Sequence, residues 1–252
     1  MQQTHIVILA PLLIAAAVVG SFLGTVILRL PAGKSVVVGG SECPHCHGRL
    51  GPRDLVPLLS WTWVGGRCRH CAEPISVFYP IIELTAIGVA LWASTVTNGW
   101  LLWASCFLGW LLLALAVIDW RHHLLPNELT LMLVPAGVGV AYLVEPTAAI
   151  DHLLGAAVGF TSLAAIAWTY RRVRGREGLG GGDLKLFAGL GAWVGWIGLP
   201  TIILLSTLMA FVSVVVRMLL GKRFVGTDRL PFGSYLATAG WLVWLYGPLA
   251  PM

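Results

Sequence analysis

A series of long apolar segments constrains the fold of this chain more than any other feature. A helix needs about 20 apolar residues to cross the roughly 30 Å hydrocarbon core of a bilayer. Hydrophobic residues make up 58% of the sequence and charged residues only 11%, which excludes an ordinary soluble domain. The sequence predicts an all-α polytopic membrane protein with about eight transmembrane helices, at residues 6–28, 77–97, 99–118, 128–144, 148–169, 184–199, 200–219 and 233–250. Only Leu199-Pro200 separates the sixth and seventh segments, so these two could form one kinked element.

The basic residues are distributed unevenly between the loops. All 16 Lys and Arg residues fall in or beside the first, third, fifth and seventh loops, whereas the even-numbered loops near residues 97–99, 145–151 and 199–200 carry none. Because cytoplasmic loops retain positive charge, this pattern predicts odd loops in the cytoplasm and both termini outside. The net charge of +5 then reflects topology. We expect membrane lipids, and not nucleic acid, to be the partner of these basic residues.

The first loop contains two Cys-x-x-Cys pairs, and it is the only extramembrane segment large enough to fold. Each pair supplies two thiolates from a tight turn, and two such turns complete the tetrahedral shell of a structural zinc ion. Disulfides are the alternative, but cytoplasmic thiols stay reduced. We predict Zn²⁺ bound by Cys43, Cys46, Cys68 and Cys71. The predicted domains are a first transmembrane helix at 1–29, a cytoplasmic zinc loop domain at 30–76 and a transmembrane domain at 77–252.

A glycine run, Gly180-Gly181-Gly182, ends in the carboxylate of Asp183. Each glycine costs a helix about 1 kcal/mol relative to alanine, so the run is predicted to be non-helical, with a helix starting at Asp183. An extended peptide could approach this bare backbone closely, with the carboxylate beside it. The alternative is that Asp183 only caps the helix that follows.

A second carboxylate, Asp119, ends the third apolar segment on the side from which Asp183 enters. It could be a solvated helix end paired with Arg121, but two carboxylates at matched depth suit peptide hydrolysis by an activated water. Helix dipoles predict that Asp183 is ionised and that Asp119 holds the shared proton. Glu83 lies early in the second segment, where it either satisfies the helix dipole or orients a polar partner.

The motifs together resemble the bacterial prepilin peptidases, the leader peptidase and N-methyltransferase enzymes among the GxGD intramembrane aspartyl peptidases. The resemblance covers almost the whole chain. It is carried by Ser21-Phe22-Leu23, Arg29-Leu30-Pro31, the paired cysteines, Gly66-Arg67, Pro74-Ile75-Ser76, Tyr79-Pro80, Glu83, Ile118-Asp119, Leu125-Pro126, Glu177-Gly178-Leu179, Gly180-Gly181-Gly182-Asp183 and Lys185-Leu186.

This resemblance implies that the chain cuts prepilins or pseudopilins of type IV pilus or type II secretion systems after the glycine that ends a basic leader. It implies methylation of the new N-terminus from S-adenosylmethionine, and a site at the cytoplasmic face of the inner membrane. Asp119 and Asp183 match the family's catalytic aspartates, which makes 77–252 the aspartyl peptidase domain, and Glu83 and Lys185 are candidates for supporting residues. Gly24, Leu55, Phe78 and Asn127 depart from the common pattern, and the first three lie in or beside the region linked to methyl transfer.

Two other classes of function are compatible with parts of the sequence. A zinc-stabilised membrane transporter would also carry carboxylates in its crossings, but nearer the midplane and in both halves of an internal repeat. A non-catalytic assembly factor would not need both aspartates. The physiological substrate is not specified by any motif.

Overall fold

The computed structural model describes residues 2–36, 42–43, 45–176, 178–221 and 230–249. Pro44, Glu177 and the basic residues Lys222, Arg223 and Arg229 of the predicted seventh loop lie outside these ranges. Two isolated backbone bridges are the only β structure in the described residues. The α-helices are α1 (Gln2–Arg29), α2 (Leu59–Trp63), α3 (Phe78–Val96), α4 (Gly99–His122), α5 (Asn127–Val144), α6 (Ala149–Arg174), α7 (Gly181–Leu219) and α8 (Phe232–Tyr246).

Six of these helices are long and apolar enough to cross a membrane, namely α1, α3, α4, α5, α6 and α7. Each of the eight predicted apolar segments is helical, because the 39 residues of α7 cover two of them. The last segment forms α8, whose 15 residues are fewer than the about 20 of a full perpendicular crossing. The prediction of an all-α polytopic membrane protein is confirmed.

The break inside α7 falls at Gly195 and not at the predicted Leu199-Pro200. Gly195 has φ 69° and ψ 175°, a conformation that residues with a Cβ rarely adopt. Pro200 lies about one turn further on, within the second arm of the helix. Nearby, the imidazole Nδ1 of His152 lies 2.8 Å from the carbonyl oxygen of Ala192. The glycine therefore sets the break, whereas the sequence-based prediction had assigned it to the proline.

The chain divides into two compact units, residues 1–110 and 111–252, which are described separately. In the first unit, α1 packs along α3. A Cβ at Gly20 would lie 2.7 Å from the Cα of Glu83, so these helices approach at backbone distance. The indole of Trp110 donates a buried hydrogen bond of 2.9 Å to the carbonyl oxygen of Ala86.

In the second unit, α7 is the central helix and packs against α5, α6 and α8. Its first arm contributes fully buried side chains at Leu186, Leu190 and Trp193. Glycines permit the close contacts, since a Cβ at Gly137 would lie 2.6 Å from the carbonyl oxygen of Ala192. The same arm carries one of the predicted site residues, Asp183, in its first turn.

Candidate active site

Asp119 lies in the last turn of α4 and is 5% exposed. Its Oδ2 accepts hydrogen bonds from the backbone N–H of Ser234, at 2.8 Å, and from the Ser234 hydroxyl, at 3.2 Å. Burying a carboxylate is costly unless donors replace its water. The start of α8 supplies those donors, so Asp119 is not the solvated helix end that the sequence allowed as an alternative.

Asp183 lies in the first turn of α7, and it is 9% exposed. Its Oδ2 accepts a hydrogen bond of 3.2 Å from the backbone N–H of Gly180, the residue that precedes the helix. This satisfies one of the N–H groups that a helix start leaves without an intrahelical partner. Asp183 therefore stabilises the helix start, as the alternative interpretation of a helix cap predicted. It is also a buried carboxylate.

Packing brings the two aspartates into one site. Asp119 acts electrostatically on Asp183 across the gap between α4 and α7. The Leu125 side chain lies against Gly182, which precedes Asp183, and against Gly233, which lies beside Asp119. A Cβ at Gly182 would lie 2.8 Å from the Leu125 Cβ, and a Cβ at Gly233 would lie 2.8 Å from the Leu125 Cδ1. The arrangement is that of two buried carboxylates on separate helices, close enough to interact electrostatically.

The glycine run differs from its prediction. Gly180 is extended, with φ −73° and ψ 145°, but α7 begins at Gly181 and not at Asp183, so Gly181 and Gly182 are helical. The helix penalty of glycine is outweighed here by tertiary packing, because Gly182 lies against Leu125. At Gly181 a Cβ would meet no atom within 4 Å, so one glycine of the run does leave open space, two residues before Asp183.

The two candidate supporting residues have different surroundings. The Lys185 ammonium donates a hydrogen bond of 2.6 Å to Oδ1 of Asn127, at the start of α5. Glu83 is 5% exposed and belongs to the first unit, where its Oε2 accepts a hydrogen bond of 2.8 Å from the backbone N–H of Leu58. Leu58 has φ 60°, which is uncommon for leucine. Glu83 therefore holds the loop before α2 on α3.

The cysteine pairs form two turns of the same local structure. In residues 43–48 the Cys43 N–H donates to the Gly48 carbonyl oxygen, and the His47 N–H donates back to that of Cys43. Residues 68–73 repeat this pattern, with Cys68 and Ala72 in the corresponding positions. His47 and Ala72 both have positive φ, 55° and 58°. The repeat explains how each turn directs two thiols to one side.

The four sulfur atoms of Cys43, Cys46, Cys68 and Cys71 lie within 4.8 Å of one another and could hold a metal ion. The backbone N–H groups of Cys46 and His45 lower the pKa of Cys43 to about 6. For Cys71 the Glu73 N–H acts in the same direction, but burial and the neighbouring thiols raise its pKa to about 12. Four adjacent thiols cannot all ionise without a cation among them.

Gly233 and Ser234 belong to the last predicted apolar segment, and no sequence motif singled them out. Their contacts with Asp119 join residues 115 positions apart. A serine after a glycine at a helix start is a common pattern. Only the packing of α8 against α4 therefore shows that this serine contacts Asp119.

Two family models match the chain. The bacterial peptidase A24 N-terminal domain matches residues 14–97, and the type IV leader peptidase family matches residues 106–215. The chain is similar to the prepilin leader peptidase/N-methyltransferase of Aeromonas hydrophila, with 38% identity over 91% of this chain and 87% of that protein. The protein of the same name from Aeromonas salmonicida is 40% identical over 84% of this chain and 73% of that protein. The one from Pseudomonas aeruginosa is 38% identical over 91% of this chain and 87% of that protein. No solved structure matches.

Proposed function

Because this chain belongs to the type IV leader peptidase family, we propose that it removes the leader peptide from type IV prepilins or pseudopilins. Cleavage follows the glycine that ends the leader, and the new N-terminal residue is then methylated. The observation that carries the peptidase activity is the pair of buried carboxylates, Asp119 and Asp183, which packing brings into one site. A transporter or an assembly factor would not need two buried carboxylates paired in this way.

In the proposed reaction the two carboxyl groups share one proton, since like charges at close range do not both ionise easily. The ionised group takes a proton from a water molecule, whose oxygen attacks the scissile carbonyl carbon. The neutral group donates its proton to the carbonyl oxygen. Collapse of the tetrahedral intermediate breaks the C–N bond: the departing amine takes a proton from the first carboxyl group, and the second carboxylate takes back the proton from the intermediate's hydroxyl group, which restores the starting state. The substrate backbone approaches at Gly181, where no side chain intervenes.

We assign methylation to the first unit, in keeping with the N-terminal family match at residues 14–97. S-adenosylmethionine is the proposed donor, and it supplies an electrophilic methyl group to the new amine. The described residues contain no strand followed by a glycine-rich loop of the kind that holds nucleotides. No residue is therefore assigned to the donor.

We propose that the metal at the four cysteines is zinc. A Zn–S bond of about 2.3 Å places tetrahedral sulfur ligands about 3.8 Å apart, and Cys43 Sγ and Cys71 Sγ are 3.8 Å apart. Four protein ligands leave no open position, so the zinc has a structural role. The distribution of Lys and Arg supports a cytoplasmic position for this loop and for the carboxylates, with both termini outside the inner membrane.

The test is an in vitro assay in which a prepilin is incubated with the purified protein in detergent and the products are weighed by mass spectrometry. Asp119→Asn and Asp183→Asn should each reduce cleavage by at least about 10³-fold, because each removes a proton-transfer group. Asp151→Asn is the matched control, since Asp151 is exposed in α6. Cleavage near the wild-type rate in either active-site variant would reject the two-aspartate mechanism.

A further inference from the structure

The first turn of α8 lies directly against the Asp119 carboxylate. Besides its contact with Asp119, the Ser234 hydroxyl donates a hydrogen bond of 2.8 Å to the carbonyl oxygen of Ala116, about one turn earlier in α4. The hydroxyl has one proton to donate, and two acceptors lie within reach, Asp119 Oδ2 and the Ala116 carbonyl oxygen. It can donate a hydrogen bond to an ionised Asp119, or it can donate to the Ala116 carbonyl oxygen and accept a hydrogen bond from a neutral Asp119. A single side chain therefore fits both protonation states of the carboxyl group.

Gly233 makes this approach possible. A Cβ at this position would lie 3.0 Å from Asp119 Oδ2 and 2.8 Å from Leu125 Cδ1, both closer than ordinary van der Waals contact. Either the carboxylate or Leu125 would have to move. Leu125 also lies against Gly182, so its displacement would reach the residue before Asp183.

The position of α8 is fixed by contacts on either side of this turn. The Tyr235 hydroxyl lies 2.6 Å from Ser213 Oγ in the second arm of α7, and the Tyr235 ring meets the edge of Trp120 in α4. Two other helices thus hold the residue after Ser234. The hydrogen bonds to Asp119 come from a backbone that is itself anchored.

We propose that Gly233 and Ser234 are positioning residues that set the orientation of the Asp119 carboxylate for peptide hydrolysis. Gly233 acts by leaving room for the carboxylate, and Ser234 acts by its two hydrogen bonds to Oδ2, which direct the other oxygen to water and substrate. The inference rests on the proposed peptidase function. Both residues lie beyond residues 106–215, the stretch that the family model matches.

The first experiment compares Gly233→Ala with Gly240→Ala. Both add a methyl group to α8, but at Gly240 it would press on the side chain of Leu190, about 10 Å further along the helix. A carboxylate displaced by about 1 Å costs about 100-fold in rate. Gly233→Ala should lower kcat by about that factor with KM within threefold of wild type. Gly240→Ala should keep kcat within threefold. Equal losses in both variants, or an unchanged kcat in Gly233→Ala, would overturn the proposal.

A second series removes only the hydroxyl of Ser234. Ser234→Ala keeps the backbone N–H and should lower kcat about tenfold, in line with the loss of one hydrogen bond to a charged group. Ser234→Thr restores the hydroxyl and should recover at least half of the wild-type kcat. Thermal unfolding of both variants should remain within about 2 °C of each other. A threonine variant as slow as the alanine variant would refute the role of the hydroxyl.

A third readout does not depend on catalysis. Labelling of Asp119 by a hydrophobic carbodiimide, followed by peptide mass spectrometry, reports how the carboxyl group is held and protonated. Gly233→Ala and Ser234→Ala should change the labelling rate of Asp119 at least threefold, whereas Gly240→Ala should not. If the wild type cuts no prepilin but this difference persists, the peptidase proposal fails, whereas Gly233 and Ser234 still set the orientation of the Asp119 carboxylate. An unchanged labelling rate in both variants would reject the positioning role.

Discussion

The cysteine cluster of the first unit and the aspartate pair of the second are assembled in different ways. The four cysteines come from two short turns with matching hydrogen bonds, and Cys43 meets Cys71 only 28 positions away. The surroundings of Asp119 are completed by Ser234, 115 positions away, through the packing of α8 against α4. The first site can form from local backbone structure and a metal ion. The second exists only if several helices pack correctly.

Removal of the cysteine cluster should have the largest effect among the variants that test this difference between the two sites. Cys43→Ser combined with Cys46→Ser deletes two ligands, so bound zinc should fall from about one per chain to nearly none. Methylation of a pre-cut pilin should fall by at least about 100-fold, while prepilin cleavage stays within about fivefold. Metal content by mass spectrometry and the two product masses provide the measurement.

Cys106→Ser is the matched control, because Cys106 is a buried thiol of α4 outside the cluster. It should retain zinc and both activities. If cleavage disappeared together with zinc in the double variant, the two sites would not be separable, and the division of labour between the units would be wrong.

The pH dependence of the two activities should differ in shape. Cleavage needs one proton shared between Asp119 and Asp183, so kcat/KM should fall about tenfold per pH unit at low pH, where both groups are protonated. It should fall again at high pH, where both are ionised. Methylation does not use the aspartate pair, so its rate should not show the fall at low pH that protonation of both aspartates causes in cleavage. Measuring the pH dependence of both reactions on the same preparation tests this prediction. An equal fall at low pH in the two reactions would contradict it.

The difference in assembly also explains what the sequence could predict. The cysteine turns and the apolar segments were accessible, because they follow from spacing and from composition, whereas the catalytic roles of Asp119 and Asp183 stay a prediction. The break of α7 at Gly195, its start at Gly181 and the contacts of Ser234 were not accessible. Each of these depends on which helices meet, and local propensity misassigned the first two. In this chain, prediction fails where tertiary packing overrides the intrinsic preference of glycine and proline.

The packing on which the second unit depends can be tested at Gly155. A Cβ there would clash with the backbone carbonyl oxygen of Gly191, which cannot move as a flexible side chain does. Gly155→Ala should lower the free energy of unfolding by about 1–3 kcal/mol. Gly139→Ala in α5 is the control, since its Cβ meets nothing within 4 Å, and it should raise stability by up to about 1 kcal/mol.

Thermal unfolding in detergent gives both values, and zinc content should stay unchanged in both variants. A Gly155→Ala protein as stable as the Gly139→Ala protein would mean that α6 and α7 do not meet at this glycine. Loss of zinc in either would show that the metal site depends on helix packing, which would break the comparison.

The smallest expected effect is at the Lys185 and Asn127 pair, close in sequence to Asp183. Asn127→Asp would turn the 2.6 Å hydrogen bond into an ion pair. Because the pair is open to solvent, the gain should be no more than about 1 kcal/mol, and salt should screen it. The free energy of unfolding at low and high salt measures this, with Glu128→Gln in the same helix turn as a control for lost charge. Cleavage should change by less than about threefold. A larger change would mean that Lys185 acts on the reaction itself, since stability alone could not account for it.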